Sequence, residues 1–277
     1  MILLALNVLT APLVVVMATL VQRRFGHAVS GLMIGLPLTS LPLLWLVALS
    51  HGATFASSMS GATLTGTVAQ VVVIWVYASL ATRLSPNLSM VGALAAFVVT
   101  AGATQTLHPS ALVAALLAGA GFAIALRWWP HTSTAPVAQG RYRLALRVVL
   151  SAGFTLAMVT QAGRIGPGLS GLAAALPMMS LIVAFVTHQE LGADASSRFL
   201  KGVTRGSFAY VVSMLVLTEL LQSGQMGLAF LLAIATAIVV QLTVQSVGSR
   251  SALKPSLRTS ISSAKAYVGL RGETSRV

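Results

Sequence analysis

The chain contains an internal repeat. Residues 24–41 read RFGHAVSGLMIGLPLTSL, and residues 164–181, at an offset of 140, read RIGPGLSGLAAALPMMSL. Nine of the 18 positions are identical, and the shared residues include Arg, Ser and Pro, which apolar composition alone would not align. A duplication of this kind in an apolar chain is typical of membrane transporters.

The composition indicates a polytopic membrane protein. Of 277 residues, 56% are hydrophobic and 8% are charged, whereas a soluble domain carries about 25% charged residues. The chain has no cysteine, so it offers no disulfide, thiolate metal site or cysteine nucleophile. The basic residues behind the net charge of +13 lie between apolar spans. We therefore expect them to set the orientation and to contact anionic lipid headgroups, and we expect no nucleic-acid partner.

Nine segments are apolar enough to span a bilayer, which requires roughly 20 residues per helix. They are 2–21, 29–49, 60–81, 88–105, 109–128, 144–161, 168–188, 203–221 and 226–246. The first segment is interpreted as a retained helix, because Arg23 and Arg24 follow it rather than precede it. The predicted fold class is all-α, with about nine transmembrane helices.

The distribution of basic residues predicts the orientation. When the loops are assigned to alternate sides of the membrane, all but one of the 17 Lys and Arg residues fall on the same side. The exception is Arg164. By the positive-inside rule, the amino terminus lies outside and the carboxyl terminus is cytoplasmic.

The repeat and the predicted topology together indicate inverted repeats. Segments 1–4 align with segments 6–9, and segment 5 has no partner, so an odd helix between the copies inverts the second one. The predicted organisation is a first repeat (1–108), a linking helix (109–128), a cytoplasmic linker (129–143), a second repeat (144–247) and a basic cytoplasmic tail (248–277). Two four-helix units would then be related by a pseudo-two-fold axis in the membrane plane.

The repeated Leu-Pro-x-x-Ser motif is the strongest candidate for a binding site. Pro37 and Pro177 fall near the middle of segments 2 and 7, where proline should kink or break a helix. Ser40 and Ser180 follow one turn later. Two kinked helices that enter from opposite faces would meet at the midplane, where inverted-repeat transporters bind substrate. A tight helix crossing explains the same small residues and prolines equally well.

Six further residues recur at the same offset. Gln70 is equivalent to Tyr210, and Gln105 is equivalent to Gln245. These four are candidates to line the site, with interhelical hydrogen bonds as the alternative role. Arg24 and Arg164 are candidates to contact an anion or a lipid headgroup, with an ordinary headgroup anchor as the alternative.

The sequence gives little support for catalysis or metal binding. No acidic residue falls at a midspan position, and Glu219, near the outer end of segment 8, is the one carboxylate that proton coupling could use. No two histidines have helical metal-pair spacing, and no GxSxG elbow occurs. We expect no enzyme activity, no metal and no cofactor, while a sodium site of hydroxyls and carbonyls stays open.

One family resemblance follows from the motif. The stretches GLMIGLPLTSLPLLWLVALSHG and GLAAALPMMSLIVAFVTHQELG each resemble the GlpM-like family of small four-helix inner-membrane proteins. This chain departs from the family by carrying two copies and a linking helix, as a fused version of a unit that otherwise pairs as an antiparallel dimer would. The resemblance implies a multi-pass protein of the bacterial inner membrane, tied to envelope polysaccharide production, with no established catalytic residues.

Three functions are compatible with these patterns. The leading hypothesis is a transporter that moves a small or amphipathic solute by alternating access at a midplane site between the repeats. The alternatives are a lipid or lipid-linked glycan translocase and a non-transporting membrane partner of an envelope biosynthesis complex. The expected partners are anionic lipids on the cytoplasmic side, an unidentified small solute, and either a second copy of the chain or an envelope-biosynthesis protein.

Overall fold

We analysed a computed structural model, which describes residues 23–130 and 166–246 together with helical positions at 13, 16, 17, 19–21, 149 and 153. The described part of the chain is helical apart from short connections. Its helices are α1 (His27–Ile34), α2 (Ser40–His51), α3 (Ala53–Leu80), α4 (Pro86–Leu107), α5 (Ala111–Arg127), α6 (166–175), α7 (Met178–Leu221) and α8 (Met226–Ser246).

Four described stretches are long and apolar enough to cross a membrane: α3, α4, the stretch Gly166–Leu221 and α8. Helices α2 and α5 are shorter apolar helices. Predicted segments 2 to 5 and 7 to 9 each overlap a described helix. Helix α3 begins at Ala53, earlier than the predicted residue 60, because hydropathy does not detect its hydroxyl-rich first turns. Segments 1 and 6, the linker and the tail lie largely outside the described residues. The count of nine spans therefore stays a prediction.

Both prolines of the repeated motif interrupt their helices. The chain leaves helical geometry between Ile34 and Ser40 and again between 175 and Met178, because proline has no N–H to donate and clashes with the preceding turn. The backbone hydrogen bonds around the two breaks match: Leu36 N–H to Met33 O and Leu176 N–H to Ala173 O (both 3.2 Å), Leu38 N–H to Leu36 O (2.8 Å) and Met178 N–H to Leu176 O (2.7 Å). The breaks expected from the sequence are confirmed.

Four glycines with positive φ repeat the same pattern. Gly26 (φ 90°) precedes α1 and Gly166 (φ 79°) stands at the start of α6. Gly52 (φ 89°) separates α2 from α3, and Gly192 (φ 84°) interrupts α7 at the equivalent position. Side chains with a β-carbon rarely adopt this conformation. The offset of 140 thus relates backbone geometry as well as sequence.

The two halves pack through their glycines. Helix α1 packs against α7, where a β-carbon on Gly31 would overlap the Phe199 carbonyl. Helix α6 packs against α3, where a β-carbon on Gly171 would overlap the Met59 carbonyl. Since Gly31 is equivalent to Gly171 and Met59 to Phe199, each half makes the same contact with the other.

Helices α3 and α7 pack side by side in opposite directions at the centre of the molecule. Near the start of α3, Ser60 Oγ lies 3.0 Å from Thr218 Oγ1 near the end of α7. Near the end of α3, Tyr77 contacts Ser196, just after the Gly192 interruption. This crossing contains much of the buried core, and α4 and α5 pack against it.

Candidate functional site

Two of the predicted site residues meet across the halves. Ser40 is the first residue of α2, directly after the Pro37 break, and its Oγ lies 3.3 Å from Tyr210 Oη on α7. Tyr210 is 6% exposed and Ser40 is half-buried. The contact forms because Gly206, one turn before Tyr210, packs directly on α1 just before the break.

Ser180 and Gln70, the repeat equivalents of Ser40 and Tyr210, are also buried, at 4% and 7% exposure. Gly66, one turn before Gln70, packs on Ala175, two residues before Pro177. This contact brings Gln70 to the level of the second break, as the Gly206 contact does for the first. The structure thus buries polar side chains beside both breaks, at the crossing of the two halves.

The remaining predicted lining residues are placed differently. Pro37 is buried and Pro177 is half-buried, each at its helix break. Gln105 is half-buried near the end of α4, and Gln245 is exposed near the end of α8. The structure therefore does not gather the two glutamines with Ser40.

Of the two predicted anion contacts, the structure describes Arg24. Arg24 is exposed just before α1, with its guanidinium carbon 5.7 Å from the centre of the Phe25 ring. Its position at a helix end suits contact with headgroups. Arg164 lies outside the described residues.

Buried hydroxyls are frequent on α3 and α7, and Ser57 and Ser60 contact Thr218 across the two helices. The buried hydroxyls include Ser57, Ser60, Thr63 and Thr67 on α3 and Ser196, Ser197, Thr204, Ser207, Ser213 and Thr218 on α7. Several donate to the carbonyl one turn back, as Thr67 does to Thr63 O (2.9 Å) and Ser207 to Val203 O (2.9 Å). A hydroxyl engaged in this way can still accept a hydrogen bond. The crossing therefore offers neutral acceptors, which suit a solute that donates hydrogen bonds.

A crevice lies near each end of α3. At the start of α3, a crevice of about 550 Å³ is lined by residues that include Thr54, Ser58 and Gln222. At the end of α3, a crevice of about 450 Å³ is lined by residues that include Thr82 and Arg83. Thr82 is the repeat equivalent of Gln222. The two crevices thus share this one equivalent position, but the first lies between α3 and the end of α7, whereas the second lies between the end of α3, the loop that follows it and Pro130.

A polar cluster closes the crossing beside the second crevice. Tyr77 Oη lies 3.5 Å from His188 Nδ1, and Trp129 Nε1 donates to Ser197 Oγ at 2.9 Å. These contacts tie the end of α3 and the chain after α5 to α7. The sequence did not single out His188 or Trp129, because neither has a polar equivalent in the other half.

A larger groove of about 700 Å³ lies between the Pro37 break and α8. It is lined by Leu36, Pro37, Leu38, Leu41, Pro42, Trp45, Gly227, Phe230, Leu231, Ile234, Ala237 and Ile238. All of these residues are apolar or glycine. The rings of Trp45 and Phe230 meet edge to face, with centroids 4.9 Å apart. Pro37 faces this groove, while Ser40 contacts Tyr210 of α7.

One glutamine missed by the sequence analysis lies beside the groove. Gln241 is 6% exposed, and its Nε2 donates to Leu32 O at 3.5 Å. Its Oε1 is buried and finds no partner among the described residues. Gln241 is equivalent to Ala101, so a search restricted to repeated polar pairs could not find it.

Among the described residues, no group of three His, Cys, Asp or Glu side chains could hold a metal ion. The described polar groups at the crossing are hydroxyls, the Gln70 amide and the cluster around Tyr77 and His188, all of which form hydrogen bonds.

No protein-family model matches the chain, and neither a curated protein nor a solved structure is significantly similar to it. The resemblance to the GlpM-like family accordingly stays a prediction from the sequence motif. The function must be inferred from the geometry of this chain.

Proposed function

We propose that the protein is a small inner-membrane transporter, in which two inverted four-helix units rock around a midplane site beside Ser40 and Tyr210. The observation that carries the proposal is the exchange of equivalent contacts between the halves: α1 packs on α7 as α6 packs on α3. Contacts exchanged in this reciprocal manner are typical of a two-fold relation.

The direction of the helices supports the inverted arrangement. Helix α3 is the repeat equivalent of the part of α7 that follows Gly192. Ser60 near the start of α3 nevertheless contacts Thr218 near the end of α7. A two-fold axis that relates antiparallel membrane helices lies in the membrane plane. The linking role of α5 and the count of nine spans belong to the same proposal, since an odd helix between the copies produces this inversion.

The two crevices fit the predicted sides of the membrane. The crevice with Ser58 and Gln222 is formed by loops predicted to lie outside, whereas Thr82 and Arg83 belong to a loop predicted to be cytoplasmic. Ser57 and Tyr77 are separated by 20 residues of α3, or about 30 Å of helix, which matches the thickness of a bilayer core. Each crevice could therefore open to one aqueous phase.

The interface between the halves suits a rocking motion. At Gly31, Gly35, Gly202 and Gly206 the two backbones meet without intervening side chains. Small residues let helices approach closely, and packed helices can slide by small displacements. Opening one crevice would then close the other.

Paired distance measurements test the proposal. The chain has no cysteine, so cysteines for spin labels can replace Ser58 and Gln222 at one end of the crossing and, in a second protein, their repeat equivalents Arg198 and Thr82 at the other end. In lipid nanodiscs we expect two distances for each pair, with the fraction open at one crevice equal to the fraction closed at the other.

A matched control is a label pair on Val91 and Val98, both exposed on α4, which should give one distance. A single distance at both crevices, or open fractions that sum well above unity, would contradict alternating access. The second outcome would indicate a continuous pore.

The groove beside Pro37 favours the second function considered, translocation of a lipid or lipid-linked molecule, because its lining is apolar. This alternative would use Arg24 and Arg164 as headgroup contacts. If neutralising both arginines abolished lipid movement without loss of folded protein, the translocase would replace the small-solute transporter.

A further inference from the structure

The groove between the Pro37 break and α8 is apolar and has room for a ligand. Its lining residues come from both sides of the break and from more than two turns of α8, between Gly227 and Ile238. In a bilayer, hydrocarbon fills an apolar groove of this kind. The volume of about 700 Å³ suits one extended chain rather than a helix.

Gln241, beside this apolar groove, has a side-chain oxygen that lacks a hydrogen-bond donor. Leu36 and Ala237 line the groove, and one turn further along the two helices lie Leu32 and Gln241, which are hydrogen-bonded to each other. The break diverts Leu36 N–H to Met33 O, so Leu32 O loses its helical donor and takes the Gln241 amide instead. Gln241 Oε1 is left buried and without a described partner, one turn beyond the groove lining at Ala237.

An unsatisfied amide oxygen is costly where water is scarce, at about 1 to 3 kcal/mol. A plain hydrocarbon would fill the groove but would not satisfy this oxygen. A molecule with one chain in the groove and a hydroxyl or amide donor in its head group would do both.

The other half lacks this combination. Phe97, which is 6% exposed, stands at the position equivalent to Ala237, and Ala101 stands at the position equivalent to Gln241. A phenyl ring occupies more volume than a methyl group, so Ala237 leaves space beside the Pro37 break that a phenylalanine at this position would fill. The groove is therefore not a necessary consequence of the repeated backbone.

We propose that this groove binds a single-chain amphiphile from the membrane, with its chain along α8 and a hydrogen-bond donor of its head group on Gln241 Oε1. In the predicted orientation Gln241 lies near the cytoplasmic end of α8, so the head group lies toward the cytoplasmic leaflet. The inference rests on the proposed function only in naming this amphiphile as the transported solute.

Photolabelling tests the site with two matched probes. One is a monoacylglycerol with a diazirine in its acyl chain, and the other is the methyl ester of the same acid, which has no donor. In nanodiscs we expect the monoacylglycerol to label peptides of α2 and α8 at the groove about tenfold more than the ester, since one good hydrogen bond is worth about tenfold in affinity.

Variants locate the two parts of the site. Ala237→Phe, which copies Phe97, should reduce labelling by both probes at least fivefold, whereas Val239→Phe, at an exposed position on the same helix, should not. Gln241→Leu should lower labelling by the monoacylglycerol to the level of the ester and leave the ester unchanged. Size-exclusion profiles of all variants check that they are folded.

Equal labelling by the two probes, or labelling that Ala237→Phe does not reduce, would overturn the inference. These results are independent of the distance measurements at the crevices. If the groove is not labelled but the spin labels report alternating distances, the amphiphile site is refuted and the proposed transporter stands. If the groove is labelled but each spin-label pair gives a single distance, the transporter is refuted and the amphiphile site stands.

Discussion

The Pro37 and Pro177 breaks have the same backbone and different surroundings. Both interrupt a helix with the same hydrogen bonds, and both follow a helix that packs by glycine on the opposite half. Around Pro37 the structure places an apolar groove and the buried Gln241 of α8, whereas α4 carries Phe97 and Ala101 at the positions equivalent to Ala237 and Gln241.

The ends of the central crossing differ in the same manner. Tyr77, His188 and Ser196 form a polar cluster at one end, and their equivalents Leu217, Ala48 and Ala56 are all buried and apolar. In inverted-repeat transporters a two-fold scaffold gives two exchangeable arrangements of similar energy, which alternating access requires. Unequal side chains on that scaffold then bias the equilibrium and select the ligand.

The largest effect should come from the glycines that both halves use alike. Gly31→Leu and Gly171→Leu place side chains onto backbone carbonyls of α7 and α3, and we expect each to destabilise the fold by at least about 3 kcal/mol. Thermal unfolding of the detergent-solubilised protein measures this. Gly102→Leu should be harmless, because a β-carbon added at Gly102 would meet no atom of another segment within 4 Å. If only one interface glycine proved sensitive, the two contacts would not be equivalent.

A smaller, equally symmetric effect is expected at the second pair of interruptions. Gly52 and Gly192 have φ values of 89° and 84° with extended ψ, a region almost restricted to glycine, so alanine should destabilise by about 1 to 3 kcal/mol at either position. The comparison is made by thermal unfolding against Gly119→Ala in α5, which should be neutral or slightly stabilising. Unequal losses would show that one interruption is strained and the other relaxed.

The sequence predicted the helical class and the two proline breaks, while the nine spans, the inverted repeats and the binding site stay predictions. Segment positions and both breaks follow from hydropathy and from proline chemistry, which are local properties. Ser40 and Tyr210 were both proposed as site residues, each because of its repeat equivalent, but their contact with each other depends on how α1 packs on α7. Hydropathy does not specify that packing.

The groove could not be predicted from the sequence at all. It depends on the small side chain of Ala237 and on the carbonyl that the break releases at Leu32. In a hydropathy pattern, Ala237 and Leu32 look like any other apolar residues of a span. Gln245 was proposed because it is repeated, whereas Gln241, one turn earlier and buried, is not repeated.

A double-mutant cycle sharpens the comparison at the polar pairs. Ser40→Ala and Tyr210→Phe should show a coupling free energy of about 0.6 to 1 kcal/mol, the range for one interhelical hydrogen bond in a membrane protein. Ser180→Ala and Gln70→Leu should show less, because the described structure joins that pair by no hydrogen bond. Chemical unfolding in detergent measures both cycles. Equal couplings would mean that Ser180 and Gln70 meet in a second conformation of the protein.

The smallest intrinsic effect is expected at Gln241. Gln241→Leu removes a long hydrogen bond of 3.5 Å and an unsatisfied oxygen together, so the free energy of unfolding without amphiphile should change by no more than about 0.5 kcal/mol. At ten times its dissociation constant, monoacylglycerol should stabilise the wild type by about 1.4 kcal/mol. The variant should gain much less, and Gln245→Leu, at an exposed position, should respond like the wild type. A gain of equal size in all three proteins would place the amphiphile elsewhere and remove the difference between the two breaks.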